Sequence, residues 1–186
     1  MPFPTSSSPA RRGAPLIERP DVCDGPAIWR IARDSQALDL NSAYSYLLWC
    51  RDFADTSAVA RHEETGEPIA FVTGYLRPSS PQTLVIWQIA VDQAHRGRRL
   101  AAALLDALTA RVGAQHPLTT VETTITPDNT ASLALFASYA QRHRADVERT
   151  VLFDGGLFPE DGHAPELLHR IGPLDPPTGG PERIGR

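Results

Sequence analysis

The sequence predicts an α/β domain in which a mixed central sheet of about six to seven strands is flanked by about four helices. Three observations support this class. Segments with the two-residue period of strands alternate with segments that have the period of helices. Residues 83–91 are almost continuously apolar, which is typical of a central strand covered on both faces. The segment that follows carries an apolar stripe from Leu100 to Val112, as expected of a helix packed on a sheet.

The elements are expected in the order strand, two helices, three strands, helix, strand, helix and two strands. Asp24 is a suitable N-cap for the first helix, and Asn41 or Ser42 for the second. Asp128 or Asn129 is expected to cap the last helix. The predicted strands cover residues 16–19, 57–61, 69–76, 83–91, 121–126, 145–152 and 166–171.

Length and composition indicate one domain with unstructured ends. A chain of 186 residues suffices for one substantial core but not for two comfortable ones. Residues 1–14 and 173–186 are rich in Pro, Ser and Gly, and segments of this kind bury too little to offset their ordering entropy. We therefore expect disordered tails at 1–14 and 173–186 and a folded domain over 15–172.

Charge and apolar content argue against several classes of partner. The net charge is −4 and all 18 basic residues are arginine, which disfavours nucleic acid or an anionic membrane as a partner. No segment reaches the roughly 18 apolar residues of a membrane span, and none resembles a signal peptide, so a cytoplasmic protein is expected. Cys23 and Cys50 lack the spacing of metal ligands, which favours two reduced thiols.

The most informative segment is the polar turn between the apolar strand and the helix after it. The turn contains Arg96, Gly97, Arg98 and Arg99, and small residues including Ala101 open the helix. A helix N-terminus presents backbone N–H groups without intrahelical partners and a partial positive charge, which together attract phosphate. The arginines add formal charge for a phosphorylated ligand. The alternative is a solvated basic turn that binds nothing.

This turn resembles the acetyl-CoA signature of the GNAT acetyltransferases, with Arg96 first and Ala101 last. Arg99 stands where that family usually has glycine. Residues 126–136 resemble a second GNAT element, in which an asparagine, here Asn129, opens the last large helix beside the pantetheine arm; the alternative is a plain N-cap. The resemblance implies a GNAT fold with a splayed central strand pair and acetyl-CoA as co-substrate. It implies cofactor contacts from Ile89, Ala90, Val91, Arg96, Gly97, Arg98, Arg99, Leu100, Ala101, Ala102, Asn129 and Phe136.

The group that protonates the departing thiolate is not assigned. GNAT enzymes often carry a tyrosine for this purpose where Phe136 stands, and a phenylalanine cannot do so. Tyr139 lies one helical turn further along, and Tyr44 is expected on another helix. The general acid therefore stays open.

An amine acceptor must lose a proton before it attacks a thioester. For an alkyl ammonium with a pKa of about 10 this costs about 4 kcal/mol at neutral pH. Carboxylates and aromatic side chains are therefore expected near the strand that carries the cofactor. The sequence offers them in residues 38–53, at Trp87, and in the polar loop 157–166.

These segments together resemble the L-2,4-diaminobutyrate acetyltransferases of ectoine biosynthesis, a GNAT family, over nearly the whole folded region. The resemblance implies transfer of acetyl to the side-chain amine of diaminobutyrate by a homodimer that needs no metal. It implies that Asp39 and Glu166 bind the ammonium groups and that Trp87 walls the aliphatic chain. The residues implied for the acceptor pocket are Asp39, Asn41, Tyr44, Trp87, His163 and Glu166. Glu166, Tyr44 and His163 are the candidates for a catalytic group.

Other interpretations of the same residues remain open. Asp39 could cap the second helix, and Tyr44 and Trp87 could be core aromatics. The enzyme could acetylate another small amine, such as a polyamine or an amino-sugar drug. It could also be a non-catalytic acyl-CoA-binding module. Direct attack in a ternary complex is favoured over an acetyl-enzyme, because neither cysteine is placed as a nucleophile.

A metal site is the least favoured interpretation. His163, Glu166 and His169 are close in sequence and belong to ligand types. However, strand geometry would place residues 163 and 166 on opposite faces, and acetyl transfer of this kind needs no metal.

Overall fold

The computed structural model describes residues 15–159 and 162–174, so the predicted tail 1–14 and residues 175–186 lie outside the described part. The described elements follow the predicted order, which confirms that prediction. The strands are β1 (Leu16–Glu18), β2 (Ala58–Arg61), β3 (Pro68–Arg77), β4 (Ser80–Val91), β5 (Thr120–Ile125), β6 (Asp146–Phe153) and β7 (Glu166–Gly172). The helices are α1 (Gly25–Ser35), α2 (Ala43–Asp52), α3 (Leu100–Gln115) and α4 (Thr130–Arg142). None of these described helices is long and apolar enough to cross a membrane.

The seven strands form one sheet in the order β1-β2-β3-β4-β5-β7-β6. Neighbouring strands are antiparallel except β4 and β5, which run parallel. The pairing of β4 with β5 covers only Thr83 to Ile86, whereas β4 continues to Val91. The two central strands therefore diverge beyond Ile86, and the predicted splayed pair is confirmed. We call the opening between them the β4–β5 cleft.

Helices cover both faces of the sheet, because β3 and β4 carry apolar side chains on both sides. Phe71 and Ala90 pack in one cluster with Tyr46 of α2. Val72, the chain neighbour of Phe71, packs instead in a second cluster with Leu104 of α3. Successive residues of a strand point to opposite faces. Helices α1 and α2 therefore cover one face of the sheet, and α3 and α4 cover the other.

Side chains cap α2 and α4, and each cap, Ser42 or Asn129, is one of the two residues predicted for its helix. The Ser42 hydroxyl accepts a hydrogen bond from the Ser45 N–H at 3.3 Å, and the Asn129 carboxamide oxygen accepts one from the Ser132 N–H at 3.1 Å. Each bond satisfies a backbone donor that the first turn of a helix leaves unpaired. Because Ser42 fills this role, the interpretation of Asp39 as the cap of α2 is wrong.

Asp24 precedes α1 as predicted, but its carboxylate does not cap that helix. It accepts hydrogen bonds from the two terminal nitrogens of Arg61 on β2 at 2.8 and 2.9 Å, and a third from the Asp21 N–H at 2.7 Å. The Asp24 side chain is only 8% exposed. Loss of Arg61 would leave a buried charge unpaired, which costs about 3–5 kcal/mol. The ion pair therefore ties the start of α1 to the β2 edge of the sheet.

The ordered chain continues past the predicted boundary at residue 172. Leu174 is 9% exposed, packs in the α3 cluster, and donates its N–H to the Thr119 carbonyl oxygen at 2.8 Å. Burial of an apolar side chain stabilises its attachment to the core. The prediction that disorder begins at residue 173 is therefore wrong for residues 173 and 174.

Candidate active site

The N-terminus of α3 forms one end of the β4–β5 cleft. A short 3₁₀ turn, Gln93–His95, and the segment 96–99 lead from β4 into this helix. The Ala103 N–H donates to the Arg99 carbonyl oxygen at 3.1 Å, so the amides before Ala103 have no acceptor within the helix. Arg99 makes no side-chain capping hydrogen bond to them. This end of α3 therefore offers N–H groups and a partial positive charge to an anion.

Two residues of the turn have positive φ angles. Gly97 has a φ of 77° and Arg99 has a φ of 59°. Arg99 thus adopts the left-handed conformation that favours glycine, which explains physically why glycine is usual at this place in the signature it resembles. For a residue with a Cβ this conformation costs about 1–2 kcal/mol. The Arg99 side chain itself is exposed.

Asp92 fixes the turn to α1. Its Oδ2 accepts a hydrogen bond from Nη1 of Arg30 at 2.6 Å, and its Oδ1 accepts one from the Ala94 N–H at 3.1 Å. The Arg30 guanidinium, assisted by the Ala94 amide, holds the pKa of Asp92 below its ordinary value. The carboxylate is therefore ionised at neutral pH and anchors the first residues after β4.

The turn arginines lie at the surface around the α3 N-terminus. The Nε of Arg96 lies 3.4 Å from the Val91 carbonyl oxygen, so its guanidinium reaches back over the end of β4. Arg98 lines a surface cavity of about 590 Å³ together with His62 of the β2–β3 hairpin. Both positions allow the side chains to add positive charge next to the uncapped amides.

The β4 wall of the cleft carries backbone groups that β3 does not use. The Asp92 N–H donates to the Ile69 carbonyl oxygen at 2.8 Å, which fixes the phase of the ladder between β3 and β4. In an antiparallel pair, hydrogen-bonded and non-hydrogen-bonded residues alternate. The N–H and C=O groups of Ile89 and Val91 therefore point away from β3 and toward the cleft. The groups of Ile89 and the Val91 N–H can pair with an amide-containing ligand, whereas the Val91 carbonyl already accepts from Arg96.

Helix α4 lies beside the cleft on the face that α3 covers. Phe136 is 3% exposed, and Leu133 packs in the same apolar cluster as Ile89 and Val91. Asn129, half-buried, begins the helix shortly after β5 ends. The residues predicted to flank an acetyl-CoA arm thus come from elements that adjoin the cleft.

Trp87 lies on the opposite face of β4, and its side chain is 53% exposed. The β3–β4 register skips this residue, so Trp87 is the extra residue of a β-bulge. Its ring stacks on Trp49 of α2 with 6.1 Å between ring centroids. Tyr44, in the first turn of α2, is 66% exposed. The interpretation of Tyr44 and Trp87 as core aromatics is therefore wrong.

The loop between α1 and α2 carries Asp39 and Asn41 to this same face. Asp39 is exposed, and its backbone carbonyl accepts a hydrogen bond from Nε2 of Gln88 at 2.8 Å. Gln88 Oε1 in turn accepts a hydrogen bond from the Tyr46 hydroxyl at 3.0 Å. Sequence reasoning missed Gln88 and Tyr46 as parts of the site. An amide side chain inside an otherwise apolar strand was the signal that could have found Gln88.

Glu166 lies across the cleft from Trp87. Strand pairing places it one residue beyond the partner of Ile125, at the end of β5. Ile171 of β7 packs in the α3 cluster, so side-chain alternation turns Glu166 to the other face of the sheet. That is the face of Trp87. The predicted acceptor residues on β4 and β7 thus share one face, on the two sides of the cleft.

The imidazole of His163 is held within the loop between β6 and β7. It stacks on the Phe158 ring with 3.6 Å between centroids, and its Nδ1 lies 2.7 Å from the Ala164 carbonyl oxygen. Because a carbonyl oxygen can only accept, Nδ1 carries the hydrogen in this contact. A Cβ at Gly155 would come within 2.1 Å of the His163 carbonyl oxygen, so the loop closes in this way only with glycine there.

The metal interpretation finds no support in the geometry of the described ranges. Within residues 15–159 and 162–174, no group of three or more His, Cys, Asp or Glu side chains could hold a metal ion. His169 shares the α3 face with Ile171, opposite to Glu166. Its imidazole is buried, and this desolvation lowers the pKa of His169, so the ring is neutral at neutral pH.

Tyr139 does not lie at the cleft. Its side chain is fully buried, and burial raises the pKa of its phenol to about 12. The ring packs on His143 with 4.3 Å between centroids, near the C-terminal end of α4. The residues that adjoin the cleft belong to the first half of this helix, which removes Tyr139 as a candidate acid.

Comparison with known proteins gives the same picture. The model of the acetyltransferase (GNAT) family matches residues 26–140. An L-2,4-diaminobutyric acid acetyltransferase from Streptomyces anulatus is 71% identical over 171 residues, which are 92% of this chain and 97% of that protein. One from Streptomyces avermitilis is 65% identical over 158 residues, which are 85% and 88% of the two chains.

Solved structures share the fold. A diaminobutyrate acetyltransferase from Paenibacillus lautus, in complex with L-2,4-diaminobutyric acid and coenzyme A, superposes with a TM-score of 0.81 at 37% identity. The match covers 90% of this chain and 100% of that one. Ard1 from Thermoplasma volcanium, at 19% identity and a TM-score of 0.69 over 86% and 99% of the two chains, shares the fold alone. The chain therefore belongs to the GNAT acetyltransferases and, among them, to the family of the L-2,4-diaminobutyric acid acetyltransferases.

Proposed function

We propose that this enzyme transfers acetyl from acetyl-CoA to the 4-amino group of L-2,4-diaminobutyrate, giving N4-acetyl-L-2,4-diaminobutyrate for ectoine biosynthesis and osmoprotection. The observation that carries the proposal is the β4–β5 cleft. It has an anion-binding helix end at one edge, and carboxylate and aromatic side chains on the face opposite to α3. The substrate named for the Streptomyces relatives, and bound in the Paenibacillus enzyme, supports the choice of amine.

Acetyl-CoA supplies the activated acetyl thioester. The α3 amides, from Leu100 to Ala102, would bind its diphosphate together with the turn arginines. The cleft-facing backbone of Ile89 and Val91 would pair with the amide-rich arm. Asn129 and Phe136 would flank that arm. This arrangement directs the thioester to the point where β4 and β5 separate.

The acceptor binds on the other face of the sheet. Asp39 and Glu166 would hold the two ammonium groups of the diamine, since each carboxylate favours a cation beside it. Trp87 would cover the aliphatic chain, and Tyr44 and Asn41 would line the pocket from the start of α2. His163 would orient the substrate, because Nε2 of the neutral Nδ1–H ring accepts a hydrogen bond from an ammonium group; orienting the Glu166 carboxylate would require the protonated ring, whose Nε2 donates.

Direct attack in a ternary complex follows from the state of the cysteines. Cys50 is buried, and desolvation raises the pKa of its thiol to about 12, so it carries no thiolate at neutral pH. Cys23 lies before α1, near Arg61 and away from the cleft. The amine therefore attacks the thioester itself after it loses a proton, at a cost of about 4 kcal/mol. Glu166, Tyr44 and His163 are the candidates to receive that proton.

The proposed substrate is tested by competition among amines. Initial rates with acetyl-CoA and diaminobutyrate, ornithine or lysine are measured on the purified protein, and the acetylated nitrogen is identified by NMR. We expect the highest kcat/KM for diaminobutyrate, with acetyl on N4. Preference for ornithine, lysine, a polyamine or an amino sugar would overturn the substrate. Tight CoA binding without turnover of any amine would indicate a binding module instead.

The enzyme is further proposed to act in the cytoplasm, where acetyl-CoA is made, as a homodimer. Strand β6 is one edge of the sheet, and its Val147, Val151, Leu152 and Phe153 are between 37% and 60% exposed. An exposed apolar edge strand is a natural pairing surface. Light scattering is expected to give twice the chain mass of 20.3 kDa, and Val151→Lys to reduce it toward one chain. A wild-type protein with the mass of one chain would contradict the dimer.

A further inference from the structure

The side chain of Gln88 is a polar group in the middle of an apolar strand, and the residue is only 6% exposed. It makes two hydrogen bonds, accepting from the Tyr46 hydroxyl at 3.0 Å and donating to the Asp39 carbonyl at 2.8 Å. The chemistry of the partners fixes the orientation of the amide, because a backbone carbonyl can only accept. We call these three residues the Gln88 latch. It joins α2, β4 and the α1–α2 loop at one point.

Gln88 stands between the two residues of β4 that the proposed reaction uses. Trp87, before it, presents its ring on the acceptor face. Ile89, after it, presents its backbone to the β4–β5 cleft. The Gln88 side chain is therefore connected through the β4 backbone to the acceptor part and to the donor part of the proposed site. A group that this side chain binds stays at a fixed distance from the acetyl donor.

The Gln88 side chain binds the middle of the α1–α2 loop. Gln36, with a left-handed φ of 54°, is the C-cap that follows α1, and Ser42 is the N-cap that precedes α2. Asp39 lies midway between these two points, with its carboxylate exposed. Loops are the more mobile parts of a fold. The bond to the Asp39 carbonyl therefore limits where its carboxylate can lie.

We infer that Gln88, oriented by Tyr46, is a positioning residue for the acceptor amine. It holds the Asp39 segment against β4, so that the carboxylate meets the ammonium group at a fixed distance from the donor strand. The inference rests on the proposed function, which gives Asp39 its partner. Gln88 and Tyr46 are 6% and 0% exposed, so neither is assigned a contact with a substrate.

The decisive comparison uses a single and a double variant. Gln88→Met removes both bonds and leaves the Tyr46 hydroxyl buried without its acceptor, so stability falls. Gln88→Met with Tyr46→Phe replaces both polar groups by apolar ones, which is close to neutral for stability. The Asp39 carbonyl stays unanchored in both. We expect the diaminobutyrate KM to rise about tenfold in both variants, with the acetyl-CoA KM within about twofold of wild type.

A purely structural role would give a different pattern. The diaminobutyrate KM would then return to the wild-type value in the double variant, along with the melting temperature, and this result would overturn the inference. Tyr139→Phe is the matched control. It also removes a fully buried hydroxyl, one for which the described residues provide no hydrogen-bond partner, and it should leave both KM values unchanged.

A second readout does not depend on turnover. Amide hydrogen exchange across residues 36–42 should be faster in Gln88→Met and in the double variant than in wild type or Tyr139→Phe. Unchanged exchange in this loop would refute the latch even if the enzyme is active. If the wild-type protein acetylates no amine, the proposed function fails, and the exchange data still decide whether Gln88 holds the loop.

Discussion

At the level of one residue, Arg99 departs from a sequence pattern and still adopts the left-handed backbone that favours glycine there. The left-handed φ of 59° explains a glycine at this position, yet the backbone amides of the turn keep their place with arginine. The exposed guanidinium adds a charge beside the helix end that we propose binds phosphate. Arg99 thus introduces local backbone strain and contributes a positive charge.

Two substitutions at Arg99 separate strain from charge. Arg99→Ala keeps a Cβ in the left-handed region, whereas Arg99→Gly relieves about 1 kcal/mol, part of which is offset by the freedom of glycine in the unfolded chain. Denaturant unfolding should therefore show the glycine variant as the more stable of the two. Both variants lack the guanidinium, so they should raise the acetyl-CoA KM by the same factor. This factor should be smaller at high salt. Equal stabilities would argue against strain at this residue.

Glu166 provides the corresponding test on the acceptor side. Glu166→Gln keeps the shape of the side chain and removes its charge, which should raise the diaminobutyrate KM by roughly tenfold to a hundredfold. The acetyl-CoA KM should not change. Glu67→Gln, in the exposed turn between β2 and β3, is the control for a general loss of negative charge. Equal effects on both KM values would count against an ammonium-binding role.

At the level of elements, the link between α1 and the turn after β4 depends on one ionised carboxylate. The pKa of Asp92 is below its ordinary value of 3.8, chiefly because of Arg30. A carboxylate with a depressed folded-state pKa stabilises the fold above the unfolded value, and this contribution is lost as the pH falls through the folded pKa. The bond should be fully effective at neutral pH and fade below pH 3.8.

Asp92→Asn is expected to lower the free energy of unfolding by about 1 kcal/mol at pH 7, since the Arg30 partner is partly screened by solvent. The gap between variant and wild type should shrink when unfolding is measured at progressively lower pH below 3.8. The acetyl-CoA KM should also rise, because the turn loses its anchor. A gap that stays constant down to pH 2 would mean that the charge of Asp92 does not stabilise the fold.

The elements were predictable because each depends on local patterns. The stripe from Leu100 to Val112 and the caps Ser42 and Asn129 are signals within a few residues of the structure they specify. The carboxylate of Asp24 was not predictable in this way. Its partner Arg61 is 37 residues away and competes successfully for a group that would otherwise cap α1.

At the level of the whole molecule, the sequence indicated segments that lie around the cleft, but not how they are joined. Trp87 and Asp39 were assigned through a family resemblance, and the structure brings their segments together through Gln88, which is 49 residues from Asp39. No local sequence pattern specifies a contact between residues that are so far apart in the chain. The exposure of β6 on both faces was likewise not predictable from the sequence. The alternating positions of Val147 and Val151 indicate a strand, but they do not indicate which elements cover it.

The separation of β4 from β5 links the fold to metabolism. Beyond Ile86 the backbone of β4 has a full ladder on one side only, so a ligand with peptide-like amides can act as a temporary neighbouring strand. Ligand present at a hundred times its Kd adds about 2.7 kcal/mol to the free energy of unfolding, or about 5–10 °C in Tm for a chain of this size. At equal concentration, CoA should therefore raise Tm more than its adenine nucleotide portion, because pairing of its amides with β4 lowers its Kd. Equal shifts at equal concentration would disprove this role of the amides. Because bound ligand stabilises the folded state, the lifetime of the folded enzyme should increase with the concentration of acetyl-CoA in the cell.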